Sequence, residues 1–262
     1  MASSEIIVGT SGYQYKDWVG PFYPEGTRPE KMLEAYAKHF PAVELNFTYY
    51  GMPRAKQMER MADRTPEGFA FVVKAHKTTT HEMSTDDIPA FMEAMRPLDE
   101  RGKFSGVLCQ FPWAFKNTKD ARAHLAAVRK GFGETPLFVE FRHASWITEP
   151  VFKFLASTGL LYVSVDEPEL EGLVPRVGRL TGDMGYLRFH SRRGSTWWGS
   201  GGKLRYDYDY SPEELGEWLP TLEEFAKSAR KVFVFFNNCH SGQAAANAES
   251  FRKVLQARGL LK

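Results

Sequence analysis

Leu137-Phe138-Val139-Glu140-Phe141-Arg142 carries the key to the architecture. Side chains alternate along a strand, so Phe138, Glu140 and Arg142 point one way and Leu137, Val139 and Phe141 the other. The pattern recurs in Ala42-Val43-Glu44-Leu45-Asn46, Val72-Val73-Lys74, Ser164-Val165-Asp166 and Arg188-Phe189-His190. A wholly apolar second face implies a strand covered by helices. A first face that becomes charged toward the C-terminal end is the pattern of a closed barrel's mouth, where such enzymes keep their chemistry.

Working outward, eight apolar stretches read as strands: Ile6–Thr10, Ala42–Asn46, Ala70–Ala75, Gly106–Phe111, Leu137–Arg142, Leu160–Asp166, Gly185–His190 and Val232–Asn237. Apolar stripes at helical spacing separate most of them, such as Met32, Leu33, Tyr36, Ala37 and Phe40, or Leu125, Val128 and Phe132. Ser211-Pro212-Glu213-Glu214 opens a helix with a hydroxyl cap, a first-position proline and a capping-box Glu. Residues 167–183, rich in Gly and Pro, read as loop. Strands alternating with helices imply a parallel sheet. The expectation is an α/β fold, a TIM-type (β/α)8 barrel formed as a single domain over residues 1–262. An open doubly wound sheet is disfavoured because no G-x-G-x-x-G follows the first strand.

The chain has 262 residues, 43% apolar and 25% charged, with a net charge of +2. That suits one large globular domain and gives no strong pointer to nucleic acid. No signal peptide or membrane-length apolar run is visible, so the expectation is a cytoplasmic chain without a membrane partner. Cys109 falls on the fourth strand and Cys239 just after the eighth, on opposite sides of such a barrel, and both are expected as buried free thiols.

Several segments resemble the YecE-like family (domain of unknown function 72). They are Gly9-Thr10-Ser11-Gly12-Tyr13 with Tyr15, Trp18 and Phe22-Tyr23-Pro24; Val43-Glu44-Leu45-Asn46 with Thr48-Tyr49-Tyr50; Thr65-Pro66 through Val73-Lys74-Ala75 to Thr80-His81; Gln110-Phe111-Pro112; Glu140-Phe141-Arg142-His143 with Ser145-Trp146; and Phe236-Asn237-Asn238 with Gly242 and Asn247-Ala248. Tyr13 and Tyr49 stand where Trp and Phe are common in that family, and Phe111 where Leu is frequent. The resemblance implies a TIM-type barrel and no settled reaction. A remote likeness of the family to barrel endonucleases is analogy at the level of fold.

The shared face collects Glu44, Lys74, Glu140, Arg142, Asp166 and Arg188, with His190, Asn46, Gln110 and Asn237. Strand order suggests Glu44 beside Lys74, and Asp166 between Arg142 and Arg188. Either these pairs fill a polar core or they form a site. As a site, Glu140 is the expected general acid or base, with Lys74, Glu44 and Asp166 as further catalytic candidates. Lys74 suits an anion anchor, a neutraliser of Glu44 or a Schiff-base amine. Arg142 and Arg188 suit a phosphate or carboxylate. Thr10, Ser11, Gly12, Tyr13, Asn46, Tyr50, His81, Gln110, His143, His190, Trp197, Asn237 and Asn238 complete the binding candidates. Trp18, Phe22, Tyr23 and Tyr15 either wall the pocket or pack.

The residues require no cofactor; His76 and His81 with Glu140 and Asp166 are the candidates for a divalent metal. The glycine-, arginine- and tryptophan-bearing loop Ser191–Lys203 reads as a lid or a flexible surface segment. A small-molecule anionic ligand is the leading partner. A nucleic-acid processor, a lyase through Lys74 and a non-catalytic sensor are the alternatives.

Overall fold

The computed structural model describes residues 4–199 and 204–261. Nine parallel strands form the sheet: β1 Glu5–Ser11, β2 Ala42–Leu45, β3 Ala70–Lys74, β4 Phe104–Gln110, β5 Leu137–Glu140, β6 Leu161–Tyr162, β7 Ser164–Asp166, β8 Met184–Phe189 and β9 Lys231–Phe236. Their order is β6-β5-β4-β3-β2-β1-β9-β8-β7. The two ends of that order are one chain segment. β6 pairs with β5, β7 pairs with β8, and Val163 alone separates them. The expected sixth strand is therefore present but bent, and it closes the ring as a TIM-type barrel. At the bend a side chain takes over from the ladder. The Tyr162 N–H donates to Thr181 Oγ1 at 2.8 Å, and Thr181 Oγ1 donates to the Leu160 carbonyl at 2.7 Å.

Alternation sorts the two faces as the sequence implies. Phe141 turns outward and stacks on Trp146 at 4.2 Å between ring centres. Phe138 turns inward against Tyr186 at 4.7 Å and Phe233 at 6.0 Å. These rings, with Phe235, make an aromatic floor where such barrels commonly use branched aliphatics. Gly9 makes room for it: a Cβ there would lie 3.0 Å from the Phe235 ring and 2.3 Å from the Ala42 carbonyl oxygen.

Helices cover the outer face. Lys119–Phe132 is capped by Thr118, whose hydroxyl accepts from the Ala121 N–H at 3.1 Å. Pro212–Gly216 has the full capping box expected of Ser211 and Glu214. Residues 167–183 contain no helix, so the bent sixth strand is followed by irregular chain. Among the described residues no helix is long and apolar enough to cross a membrane. Cys109 and Cys239 are free.

Candidate functional site at the C-terminal mouth of the barrel

Above the aromatic floor, strand register lifts charged side chains into the barrel. Ser11 is in register with Glu44, Gln110 with Glu140, and Arg188 with Val165 and Phe235. The charges form an alternating chain. Glu44 Oε1 lies 2.6 Å from Arg188 Nη2, and Arg188 Nη1 lies 2.5 Å from Glu140 Oε2. Glu140 Oε1 is 2.6 Å from Arg142 Nη2, and Arg142 Nη1 is 2.8 Å from Glu167 Oε2. Tyr186 closes one end by donating to Glu44 Oε2 at 2.6 Å, and the Val174 N–H closes the other at Glu167 Oε1, 3.2 Å away. Buried charge is tolerated when each ion has an opposite neighbour, and here every ion does.

Position along this chain sets each proton affinity. Burial pushes the Glu140 carboxyl up, but the guanidinium groups of Arg142 and Arg188 outweigh it and hold Glu140 well below the usual carboxylate range. Glu167, at the end with one arginine, goes the other way: burial dominates and raises it to about 7. Burial and then Arg142 bring His190 down to about 3, so its imidazole is neutral. Asn237 Nδ2 sits 3.0 Å from His190 Nδ1, while His190 Nε2 lies 3.1 Å from Arg142 Nη2 and 3.3 Å from Glu140 Oε1, so the ring is wedged between the amide and the Glu140–Arg142 ion pair.

The chain supports one wall of a cavity of about 1000 Å³. Its carboxylates Glu44, Glu140 and Glu167 lie behind that wall. Among the described residues Asp17 is the one acid on the lining, and it accepts from the Ser241 N–H at 2.7 Å. Lys74, Lys16 and Arg188 reach the cavity, with the amides of Asn46, Gln110 and Asn237. Lys74 Nζ donates to Gln110 Oε1 at 2.9 Å and lies over the Tyr49 ring, 4.6 Å from its centre. Burial, then the charge of Arg188, lowers Lys74 to about 8. Gly12 holds a left-handed φ of +86° at the rim, and a Cβ there would meet Tyr15 Oη at 2.5 Å.

Of the residues singled out in the sequence, Gly12, Tyr13, Asn46, Tyr50, Lys74, Gln110, Arg188 and Asn237 line this cavity. Ser11, Glu44, Glu140, Arg142 and His190 are buried behind it, and Trp197 covers Arg142 with its ring 5.8 Å from Cζ. Five residues sit elsewhere. Asp166 is in register with Phe189 on the outer face, where Arg192 at 2.7 Å, Tyr210 at 2.8 Å and Trp218 at 2.7 Å hold its carboxylate. Thr10 donates to the Gly12 carbonyl at 2.6 Å. Asn238 donates to Asn247 at 2.7 Å. His143 bonds Ser145 at 2.9 Å beside Trp113, and His81 packs on Tyr49. Nor does Glu44 pair with Lys74, because Arg188 and Tyr186 take both its oxygens. Trp18 and Tyr23 are buried in an aromatic cluster with Phe22.

Among the described residues no three His, Cys, Asp or Glu side chains converge as metal ligands. The basic loop is largely neutralised: Arg192 pairs with Asp166 and Glu217, and Arg193 with Asp207. Residues 200–203 of that loop lie outside the described residues. Glu167, Gln57, Tyr206 and Cys239 were not anticipated. For Glu167 a signal existed, since Asp166-Glu167 offers an acid to each face and alternation alone does not choose between them.

A family model described as "Protein of unknown function DUF72" matches residues 7–261. UPF0759 protein YunF of Bacillus subtilis is 34% identical over 269 residues, covering 95% of this chain and 94% of that protein. UPF0759 protein YecE of Escherichia coli is similar over 73 residues at 34% identity, 26% of this chain and 27% of that protein. The crystal structure of a DUF72 family protein from Thermotoga maritima superposes with a TM-score of 0.90 at 39% identity, over 96% of this chain and 99% of that one. One from Enterococcus faecalis gives 0.85 at 29%, over 96% and 95%. The chain belongs to the DUF72 family.

Proposed function

We propose that this DUF72-family chain is an enzyme acting on a small anionic organic molecule in the barrel-mouth cavity, with Lys74 as the side chain that carries the chemistry. The separation of charge supports this reading above all. The interior acids are turned onto Arg142 and Arg188 behind the wall, while Lys74 faces the cavity with an amide as its polar partner. A unit negative charge about 4 Å from that ammonium gains roughly 4 kcal/mol at an effective dielectric near 20. Lys74, at about 8, populates both protonation states near neutral pH, as a group that gives and takes protons must. Glu140, locked as an anion between two arginines, serves as a positioning group. Asn46, Gln110 and Asn237 supply hydrogen bonds that orient a polar ligand.

Calorimetry of the full chain against small phosphates, small carboxylates and their uncharged analogues tests the reading. One saturable site for anions is expected, weakened by salt, weakened at least tenfold by Lys74→Gln (about 1.4 kcal/mol) and unmoved by Asp166→Asn. Equal affinity for charged and uncharged analogues would overturn it.

A further inference from the structure

Lys103 and Lys74 are both drawn into the protein, and they differ in how their amines are held. Lys103 Nζ donates to the Ala62 carbonyl at 2.6 Å, the Thr65 carbonyl at 2.7 Å and the Thr65 hydroxyl at 3.1 Å. Three acceptors use its three N–H bonds, so this ammonium is locked. Among the described residues Lys74 Nζ has one hydrogen-bond acceptor, Gln110 Oε1, and the face of Tyr49. The acids nearest in charge, Glu44 and Glu140, are committed to Arg188, Arg142 and Tyr186. No carboxylate among the described residues forms an ion pair with Lys74, and its amine borders open space large enough for a metabolite.

We infer that Lys74 is a covalent catalyst, whose neutral amine adds to the carbonyl carbon of a small anionic aldehyde or ketone to form an iminium in the cavity. This deepens the proposed function and rests on its assignment of the cavity to anions. In the first step the nitrogen lone pair bonds to carbon, the carbonyl π pair moves to oxygen, and a proton shift gives a neutral carbinolamine. The hydroxyl then takes one proton from solvent and leaves as water while nitrogen forms the double bond. One proton is consumed, one water is released and nothing is oxidised or reduced. The product suits the site. An iminium keeps one N–H for Gln110 and a positive charge for the Tyr49 face. Burial and the nearby charge of Arg188 both disfavour the ammonium, a known route to a nucleophilic lysine. Once formed, the iminium draws electrons from an adjacent C–H or C–C bond. Arg188 and Lys16, also on the lining, offer charge to the substrate's anionic group.

The test is reductive trapping on the full chain near pH 8. Glyoxylate and glyceraldehyde 3-phosphate serve as anionic probes and glyceraldehyde as the uncharged one, each with cyanoborohydride, followed by peptide mass mapping. Lys74 is expected to gain the reduced adduct about tenfold or more faster than exposed lysines, since far more of its amine is neutral. The anionic probes should be favoured, Lys103 should stay unlabelled, and Lys74→Arg should abolish the fast phase. Labelling of Lys74 at the rate of exposed lysines overturns the inference. If calorimetry still shows anion binding in that case, the cavity's function stands without covalent chemistry. If it shows none, both fall.

Discussion

Glu140→Gln isolates what the buried charge chain does. The amide matches the carboxylate in volume, so no cavity is created and the effect is electrostatic. In the native protein Glu140 touches Arg188 at 2.5 Å, Arg142 at 2.6 Å and His190 at 3.3 Å. After substitution each arginine keeps one carboxylate, Glu44 or Glu167, but both lose the anion that bridges them, and the new amide sets an N–H2 group or a weaker neutral acceptor against buried guanidinium groups. Removing one partner of a buried ion pair typically costs about 3–5 kcal/mol. The remaining carboxylates place this case at the low end, about 3 kcal/mol. For a chain of this size that lowers the melting temperature by roughly 6–12 °C.

The pH dependence is equally specific. Glu140 has a depressed pKa in the folded state, so its contribution is complete above its unfolded value near 4.5 and fades as pH falls through the lower folded value. The gap between wild type and variant should be full at pH 7 and shrink below about pH 4.5. A second readout follows from the same geometry. Glu140's charge supports the Lys74 ammonium, so its loss should move Lys74 below about 8. Urea denaturation followed by tryptophan fluorescence measures the stability, and NMR titration of the methylated lysines measures Lys74. A stability loss under about 1 kcal/mol at pH 7, with Lys74 unmoved, would refute an interior held by alternating charge.

Lys74→Met should stabilise the protein at pH 7, because burial disfavours the ammonium that the folded chain must otherwise hold; with Lys74 at about 8 against an ordinary 10.5, the gain is roughly 3 kcal/mol and vanishes above about pH 10.5. Denaturation at pH 7 and pH 10.5 checks this, and a less stable variant at pH 7 would contradict it. Gly12→Ala should cost about 1–2 kcal/mol from the left-handed backbone alone, and should also weaken ligand binding by pushing Tyr15 off the cavity rim. Calorimetry and denaturation of that variant separate the two effects. Cys239, pushed up to about 12 by burial and donating to the Ser11 carbonyl at 3.2 Å, should resist iodoacetamide at pH 8 in the folded protein while reacting fully in urea. Rapid native alkylation, read by mass, would show that the thiol is not held this way.

Much of the architecture is legible in local pattern. Alternation in Leu137–Arg142 puts Phe138 and Glu140 inside and Phe141 outside, and the strand-helix rhythm implies the parallel barrel. Ser211 and Glu214 announce their helix start through residue type and spacing alone. Each of these depends on near neighbours along the chain, whose geometry the backbone dictates.

The partnerships inside the barrel are a different matter. Asp166 and Glu167 are adjacent acids, and the register that sets Val165 beside inward-facing Arg188 decides that Glu167 meets Arg142 while Asp166 turns out to Arg192 and Trp218. Glu44 is one strand from Lys74, yet it bonds Arg188 from across the barrel. Local pattern establishes which side chains share a face of each strand, because parity is a property of a single strand, but at Asp166-Glu167 it leaves open which of the two acids enters the barrel. Which charges meet, and which amine is left facing the cavity, emerges once the strands are assembled, because long side chains choose partners across the ring by reach and height, and neither is encoded in any one strand.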